Sequence, residues 1–426
     1  MISVELVISV FLGITLLASI VSRKTRTPYT IVLVLVGIGL AAISNPNLAD
    51  LGAAFQTLGT GGLFVGLILP PLLFESMMGI KIEEFRAVSR PALLLATVGV
   101  VIATIVGGII LWRFNILPFS AAFLFAALIA PTDVATVLEV FRRAGVPARL
   151  STLMETESVF NDATGIALFT VFLTTVTAVS VSLLGALTKF ALVFGGGVLI
   201  GLFVAWGARQ LQRETSEPVP QIVLTLTAVY GSYALASALG VSGLIAVAVT
   251  GLLYGNSVLF KIERKDVELL TRQFWNILAF IANTIAFLFI GLSTNIISLV
   301  GSAAAILIAY GVVVVARFAS VYPILSIREV VGPRFPWSWK NVAMIGGMRG
   351  ALSIVLVATL QATTPDLPGL GVIVNMTFGV VILSILLQGP ILTRYIGTAF
   401  GKQQTLPEAV QASSEETQGS LPPSPQ

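Results

Sequence analysis

The sequence predicts an all-α, polytopic membrane protein of about thirteen transmembrane helices, and three observations carry that prediction. Of its 426 residues, 56% are hydrophobic and only 10% are charged, with a mean hydropathy of +0.98; a soluble domain carries about 25% charged residues. Apolar stretches recur along the whole chain, each long enough to cross a hydrocarbon core of roughly 30 Å. Basic residues collect in alternate gaps between those stretches. Too little polar side chain is present to cover a water-facing surface, which excludes a soluble many-domain enzyme. Cysteine and histidine are both absent. Disulfides, zinc–thiolate sites and thiol catalysis are therefore excluded, and proton chemistry near neutral pH falls to carboxylates or lysines.

The apolar stretches fall at about 2–21, 29–44, 55–78, 92–112, 119–139, 151–178, 182–208, 221–239, 241–256, 273–296, 301–325, 341–361 and 370–395. The first reads as a retained span and not as a cleaved signal. Its only early charge is Glu5, and the basic cluster Arg23, Lys24, Arg26 follows the apolar run instead of preceding it. The weakest boundary separates the eighth and ninth spans, where only Gly240 and Ser242–Gly243 mark a turn. Twelve or fourteen spans stay open on that account. Gaps after odd-numbered spans hold 20 of the 24 Lys and Arg residues. This places the N-terminus outside and the C-terminus in the cytoplasm of a bacterial inner membrane. Residues 257–272 read as a charged, amphipathic surface helix. The tail from about Gln403, rich in Ser, Pro, Glu and Gln, reads as disordered. No soluble nucleotide-binding or regulatory domain is expected after the membrane domain.

Ionisable groups within a bilayer are expensive and mark candidate functional sites. Here they are Glu75, Asp133, Glu155, Glu157, Asp162, Lys189, Arg317 and Arg349, and most fall in three short segments. In Ala130-Pro131-Thr132-Asp133, the proline removes a backbone hydrogen bond and breaks the fifth span. Carbonyls freed at that depth need protein, water or an ion. Thr132 and Asp133 read equally well as caps of the lower half-helix or as ion ligands. In Glu157-Ser158-Val159-Phe160-Asn161-Asp162, helical spacing puts Glu157 with Asn161 and Ser158 with Asp162 on a polar stripe. Asp162 lies roughly 16 Å into the sixth span. A network that only fixes packing explains the Asn and the Ser better than it explains two carboxylates. In Gly346-Gly347-Met348-Arg349-Gly350, three glycines weaken the twelfth span, and Arg349 requires a carboxylate partner, expected to be Glu157. With the seventh span as a linker, the broken fifth and twelfth spans occupy matching places in two halves. Such paired interruptions point to the site of a transporter built from inverted repeats.

These segments, together with Pro70–Glu75 (PPLLFE), resemble the NhaP branch of the monovalent cation:proton antiporters, a family that includes the animal sodium/proton exchangers. The match runs from about residue 5 to 400, and the four motifs in this order are highly specific. The resemblance implies an NhaA-like inverted repeat with broken helices 5 and 12. A core domain would comprise about 92–178 and 301–395, and a dimerisation domain about 2–78 and 221–296, joined by a linker helix at 182–208. It implies that Asp162 carries the ion or proton, that Thr132, Asp133, Glu157 and Ser158 complete or support the site, and that Arg349 pairs with Glu157. Asn161 stands where electrogenic relatives carry a second Asp, which implies electroneutral one-for-one exchange. Na+ would sit at Asp162, Thr132, Asp133 and Ser158.

The chemistry fits that expectation. A free Asp titrates near pH ~3.9, and burial in low dielectric disfavours the charged form of a carboxyl. A single buried carboxylate that binds Na+ or H+, but not both, couples their fluxes by competition, and hard oxygen ligands suit Na+ or Li+. Glu75 near the cytoplasmic end of span three lines an access funnel or merely snorkels. Arg317 reads as a domain-packing residue, Lys189 as one that snorkels to an interface with no assigned role, and Glu155 receives no role. K+/H+ exchange is the nearest rival reading; a cation channel or a non-transporting sensor is a different class. Neither an enzymatic activity nor a cofactor is expected, and neither is a nucleic-acid partner. The partners are the transported ions, the bilayer and a second copy of the chain.

Overall fold

The computed structural model describes residues 4–25, 27–42, 64–177, 183–212, 217–256, 265–327 and 335–400. These residues are all-helical, in sixteen helices. They are α1 (Val4–Thr25), α2 (Tyr29–Ala42), α3 (Leu69–Gly79), α4 (Ile82–Arg113), α5 (Phe119–Ile129), α6 (Ala135–Ala144), α7 (Ala148–Thr177) and α8 (Leu183–Gln212). There follow α9 (Pro218–Ala238), α10 (Gly243–Tyr254), α11 (Lys265–Leu292), α12 (Ile296–Gly301), α13 (Ala303–Ile324), α14 (Trp337–Ile345), α15 (Ala351–Thr363) and α16 (Leu370–Phe400). Six of them, α4, α8, α9, α11, α13 and α16, are long and apolar enough to cross a membrane.

Every expected span contains a helix or a pair of half-helices. The fifth divides into α5 and α6, and the twelfth into α14 and α15. The weak boundary at Gly240 is a true turn. Gly240 takes φ +71°, and the Ser242 hydroxyl caps α10 by accepting from Ile245 N at 3.3 Å. The expected surface helix at 257–272 is different. Residues 257–264 lie outside the described set, while 265–272 are the first turns of α11 itself. Val267 and Thr271 are buried there, whereas Glu268 and Arg272 pair with each other at 3.0 Å. One face packs and the other is charged, so a continuous helix satisfies both. The tail beyond residue 400 and the first part of the third span also lie outside the described residues.

Packing sorts the helices into two groups. α2 lies along α11, α10 is enclosed by α3, α8 and α9, and α3 also packs on α11. Separately, α4 packs on α5, α7 and α13, α5 packs on α7, and α16 packs on α13, α6 and α14. The groups meet where α7 touches α10, α8 and α3, where α2 touches α6, and where α15 touches α11. Three single-turn π segments, Phe64–Ile68 before α3, Leu95–Gly99 within α4 and Ser384–Gln388 within α16, wind the chain wider at these positions. The site lies where the second group faces the first.

Candidate ion-binding site at two crossed helix breaks

Pro131 has no amide to give α5, so the helix stops at Ile129 and resumes at Ala135. Glycines end α14 at Ile345, and Gly350 is extended (φ −126°, ψ −160°) before α15 begins. The two unwound segments cross: Asp133 N donates to Met348 O at 2.8 Å. Neighbouring side chains satisfy more of the exposed backbone. Ser384 Oγ in the π turn of α16 accepts from Arg349 N at 3.0 Å, and Ser353 Oγ donates to Leu128 O at 3.0 Å. Protein therefore compensates the freed backbone groups that lipid cannot.

α7 runs beside the crossing. Ser158 Oγ donates to Thr132 O at 2.8 Å. Asn161 grips Thr132 from both sides: Nδ2 donates to Thr132 Oγ1 at 2.7 Å, and Oδ1 accepts from Thr132 N at 3.3 Å. The same Nδ2 lies 3.3 Å from Glu157 Oε1, which accepts from it. Asn161 is fully buried and spends its amide on holding the break in place.

The structure corrects one sequence expectation. The partner it gives Glu157 is Arg317 of α13 and not Arg349. Arg317 Nη1 donates to Oε1 at 2.6 Å and Nη2 to Oε2 at 2.9 Å, while Nη2 also reaches Ala343 O at 2.9 Å. This is the fork-to-fork geometry in which a guanidinium holds a carboxylate most firmly. Gly347 makes room for it, because a Cβ there would lie 2.6 Å from Arg317 Nε. Arg349, also buried, donates from Nη1 to Gly347 O at 2.9 Å and feels the charge of Glu157 without forming an ion pair with it. The sequence exposed both arginines as intramembrane cations; only the packing of α13 against α7 and α14 chooses between them.

Asp133 combines the two roles left open above. Its Oδ1 accepts from Ala135 N at 2.8 Å, as a cap of α6 does. Its carboxylate also rests against Gly350, where a Cβ would stand 2.1 Å from Oδ2. Asp133 and Asp162 are both only half-buried, and both line a cavity of about 420 Å³ together with Thr132, Ser158 and Gly350. Glu75 and Ser76 of α3 line it too, beside Glu139 and Arg142 of α6. Glu75 is thus in the cavity wall. Glu155 lies nearby and accepts from Ser76 Oγ at 2.7 Å, tying α7 to α3.

Among the described residues no three carboxylates converge as a metal-holding group. Beside Asp162 the cavity wall also carries the carboxylate of Asp133 and the hydroxyl oxygens of Thr132 and Ser158. Ser158 Oγ has given its proton to Thr132 O, and Thr132 Oγ1 accepts only from Asn161, so both retain lone pairs. Such a sparse, hard oxygen set suits a weakly held cation that comes and goes.

Crossed helix breaks with carboxylates on a shared cavity define a class: a multi-pass integral membrane protein built as a secondary transporter. The model of the family described as sodium/hydrogen exchanger, transmembrane, matches residues 9–396, and the chain belongs to that family. It is 34% identical over 386 residues to the Na+/H+ antiporter ApNhaP of Aphanothece halophytica, covering 90% of this chain and 72% of that one. It is 32% identical over 408 residues to the Na+/H+ antiporter NhaP of Pseudomonas aeruginosa, covering 90% and 94%. The fold is that of the sodium proton antiporter MjNhaP1 from Methanocaldococcus jannaschii at pH 8. The TM-score is 0.74, with 93% of this chain and 99% of that chain covered at 24% identity.

Proposed function

We propose that the protein exchanges Na+, or Li+, for H+ across the membrane, one for one, by competition of the two ions for the Asp162 carboxylate. The observation that carries this reading is the placement of Asp162 on the cavity with Thr132, Asp133 and Ser158, at the crossing of the two breaks. Neutral Asn161 supports one-for-one stoichiometry, because it adds no second titrating carboxylate beside Asp162 and is committed to Thr132. Asp133 keeps one oxygen on the N-terminus of α6, whose partial positive charge favours an anion there. Alternating access follows if the group carrying the crossing moves as a core against the group of α2, α3 and α9–α11, with α8 as linker. The latter group would hold the homodimer. The alternation of basic gaps supports an outside N-terminus and a cytoplasmic mouth at Glu75 and Arg142.

The test is cation-driven proton flux in proteoliposomes, with Na+, Li+ and K+ supplied in turn. Asp162→Asn is expected to abolish flux in a protein that still folds. In the unmodified protein the apparent KM for Na+ is expected to rise about tenfold per pH unit on the acid side, as protons fill the shared site. Exchange surviving in Asp162→Asn sinks the single-carboxylate scheme. Flux driven by K+ as well as by Na+ replaces the stated selectivity.

A further inference from the structure

A second cavity, of about 270 Å³, lies along the same face of α7 as the first. The first is lined on α7 by Ser158, Val159 and Asp162; the second takes over at Ala163, Ile166 and Thr170. These positions succeed one another at helical spacing on one stripe. The opposite wall repeats the pattern. Leu69, Leu73 and Glu75 face the first cavity, and Val65, one turn earlier, faces the second. Both cavities lie between the two helix groups, and along α7 the lining passes from the first to the second between Asp162 and Ala163.

Their charges differ in sign. The first cavity is lined by Glu75, Asp133, Glu139 and Asp162 against the single cation Arg142. The second is lined by one charged residue, Lys189 of α8, with Tyr233 of α9 as the other titratable group. Lys189 stands about 9 Å along α8 from Leu183. Lys189 is the second residue of the 188–212 segment of α8 that is apolar enough to span a membrane, and its side chain is exposed, so it stands at the mouth of the hydroxyl-bearing cavity.

We propose that the second cavity is the opposite half of the ion path to Asp162, and that Lys189 lowers the affinity of Asp162 for cations arriving from that side. This deepens the exchange reading and rests on it. A fixed positive charge acts on every monovalent cation alike. Lys189 therefore weakens Na+ and H+ binding by the same factor whenever Asp162 faces it, and leaves both the coupling and the Na+-to-H+ preference unchanged. The acidic first cavity does the reverse. The exchanger is thus built to load Na+ at low concentration from the Glu75 side and to release it readily on the Lys189 side. The other charged groups on the cavity of Asp162 are Glu75, Asp133, Glu139 and Arg142, with the compensated Glu157–Arg317 pair beside it, and none of them lines the second cavity.

The experiment measures proton flux in vesicles of known orientation, with Na+ varied on one face at a time. Thr170, beside the second cavity, lies eight residues or ~12 Å along α7 from Asp162. A unit charge at roughly that distance, through an effective dielectric of about 20–40, changes cation affinity about three- to tenfold. Lys189→Gln is expected to lower the apparent KM for Na+ by that factor on the Lys189 face at alkaline pH. At acid pH on that face the changes in Na+ and H+ affinity cancel and KM stays put. The other face is unaffected at any pH, and Lys189→Arg behaves as the parent protein. Equal shifts on both faces, or no shift, overturn the inference. So does an effect confined to vesicles containing anionic lipid, which would assign Lys189 to a lipid phosphate. If the unmodified protein shows no Na+-dependent proton flux, both this inference and the exchange reading fall. Normal parental flux with unaltered Lys189→Gln kinetics sinks this inference alone.

Discussion

The Glu157–Arg317 pair gives the sharpest energetic prediction, because sequence and structure name different partners for the same carboxylate. Glu157→Gln leaves Arg317 with its bond to Ala343 O and removes the charge that compensates it. Two short charge-assisted bonds, at 2.6 and 2.9 Å, disappear from a site where both side chains are nearly or wholly buried. Breaking a buried pair by removing one partner costs about 3–5 kcal/mol. Arg317→Gln exposes the opposite imbalance and should cost a similar amount. The double variant strands neither charge. Its cost should fall short of the sum of the singles, with a coupling of about 2–3 kcal/mol. Coupling between Glu157 and Arg349, which sense each other's charge but form no ion pair, should be smaller than that with Arg317. The assay is SDS-driven unfolding in mixed micelles, followed by tryptophan fluorescence, on the three single and two double variants. A coupling carried by Arg349 and absent at Arg317 would refute the assignment. Arg317→Gln costing less than about 1 kcal/mol would show that the pair is not a buried structural element.

Two further perturbations probe the crossing itself. Gly350→Ala puts a Cβ within bonding distance of the Asp133 carboxylate. It should displace Asp133, cost about 1–3 kcal/mol and depress Na+-driven flux far more than it lowers melting temperature; unchanged flux would show that the Asp133 position is immaterial. Asn161→Asp replaces a group that donates to Thr132 Oγ1 and Glu157 Oε1 with one that cannot donate when ionised. Destabilisation by about 1–3 kcal/mol is expected, without a gain of current in a membrane-potential assay. A stable, electrogenic Asn161→Asp variant would mean that charge at this position, and not the grip on Thr132, sets the stoichiometry.

Much of the site was legible because its signals are local. A proline inside an apolar run breaks a helix wherever it packs, so the end of α5 at Ile129 follows from Pro131 alone. The stripe of Glu157, Ser158, Asn161 and Asp162 follows from helical spacing. Glu75, near a helix end, read equally as a funnel residue or as a snorkelling one; its position on the cavity wall came from the structure. Local signals misled where an element served two environments. The charged residues at the start of α11 resembled a separate surface helix, yet Val267 and Thr271 bury the opposite face and carry the helix straight into the span.

By itself the sequence determined the membrane class, the two interruptions and which carboxylates fall within the apolar stretches. All of these depend on residue type and spacing along a single helix. Only the tertiary structure decided that the two unwound segments bond to each other through Asp133 and Met348, that Asn161 clamps Thr132, and that Arg317 compensates Glu157. Each of these joins residues distant in the chain, between helices whose neighbours are set by how whole faces pack. A buried charge announces that it needs a partner; which partner it finds depends on which helix lies across from it.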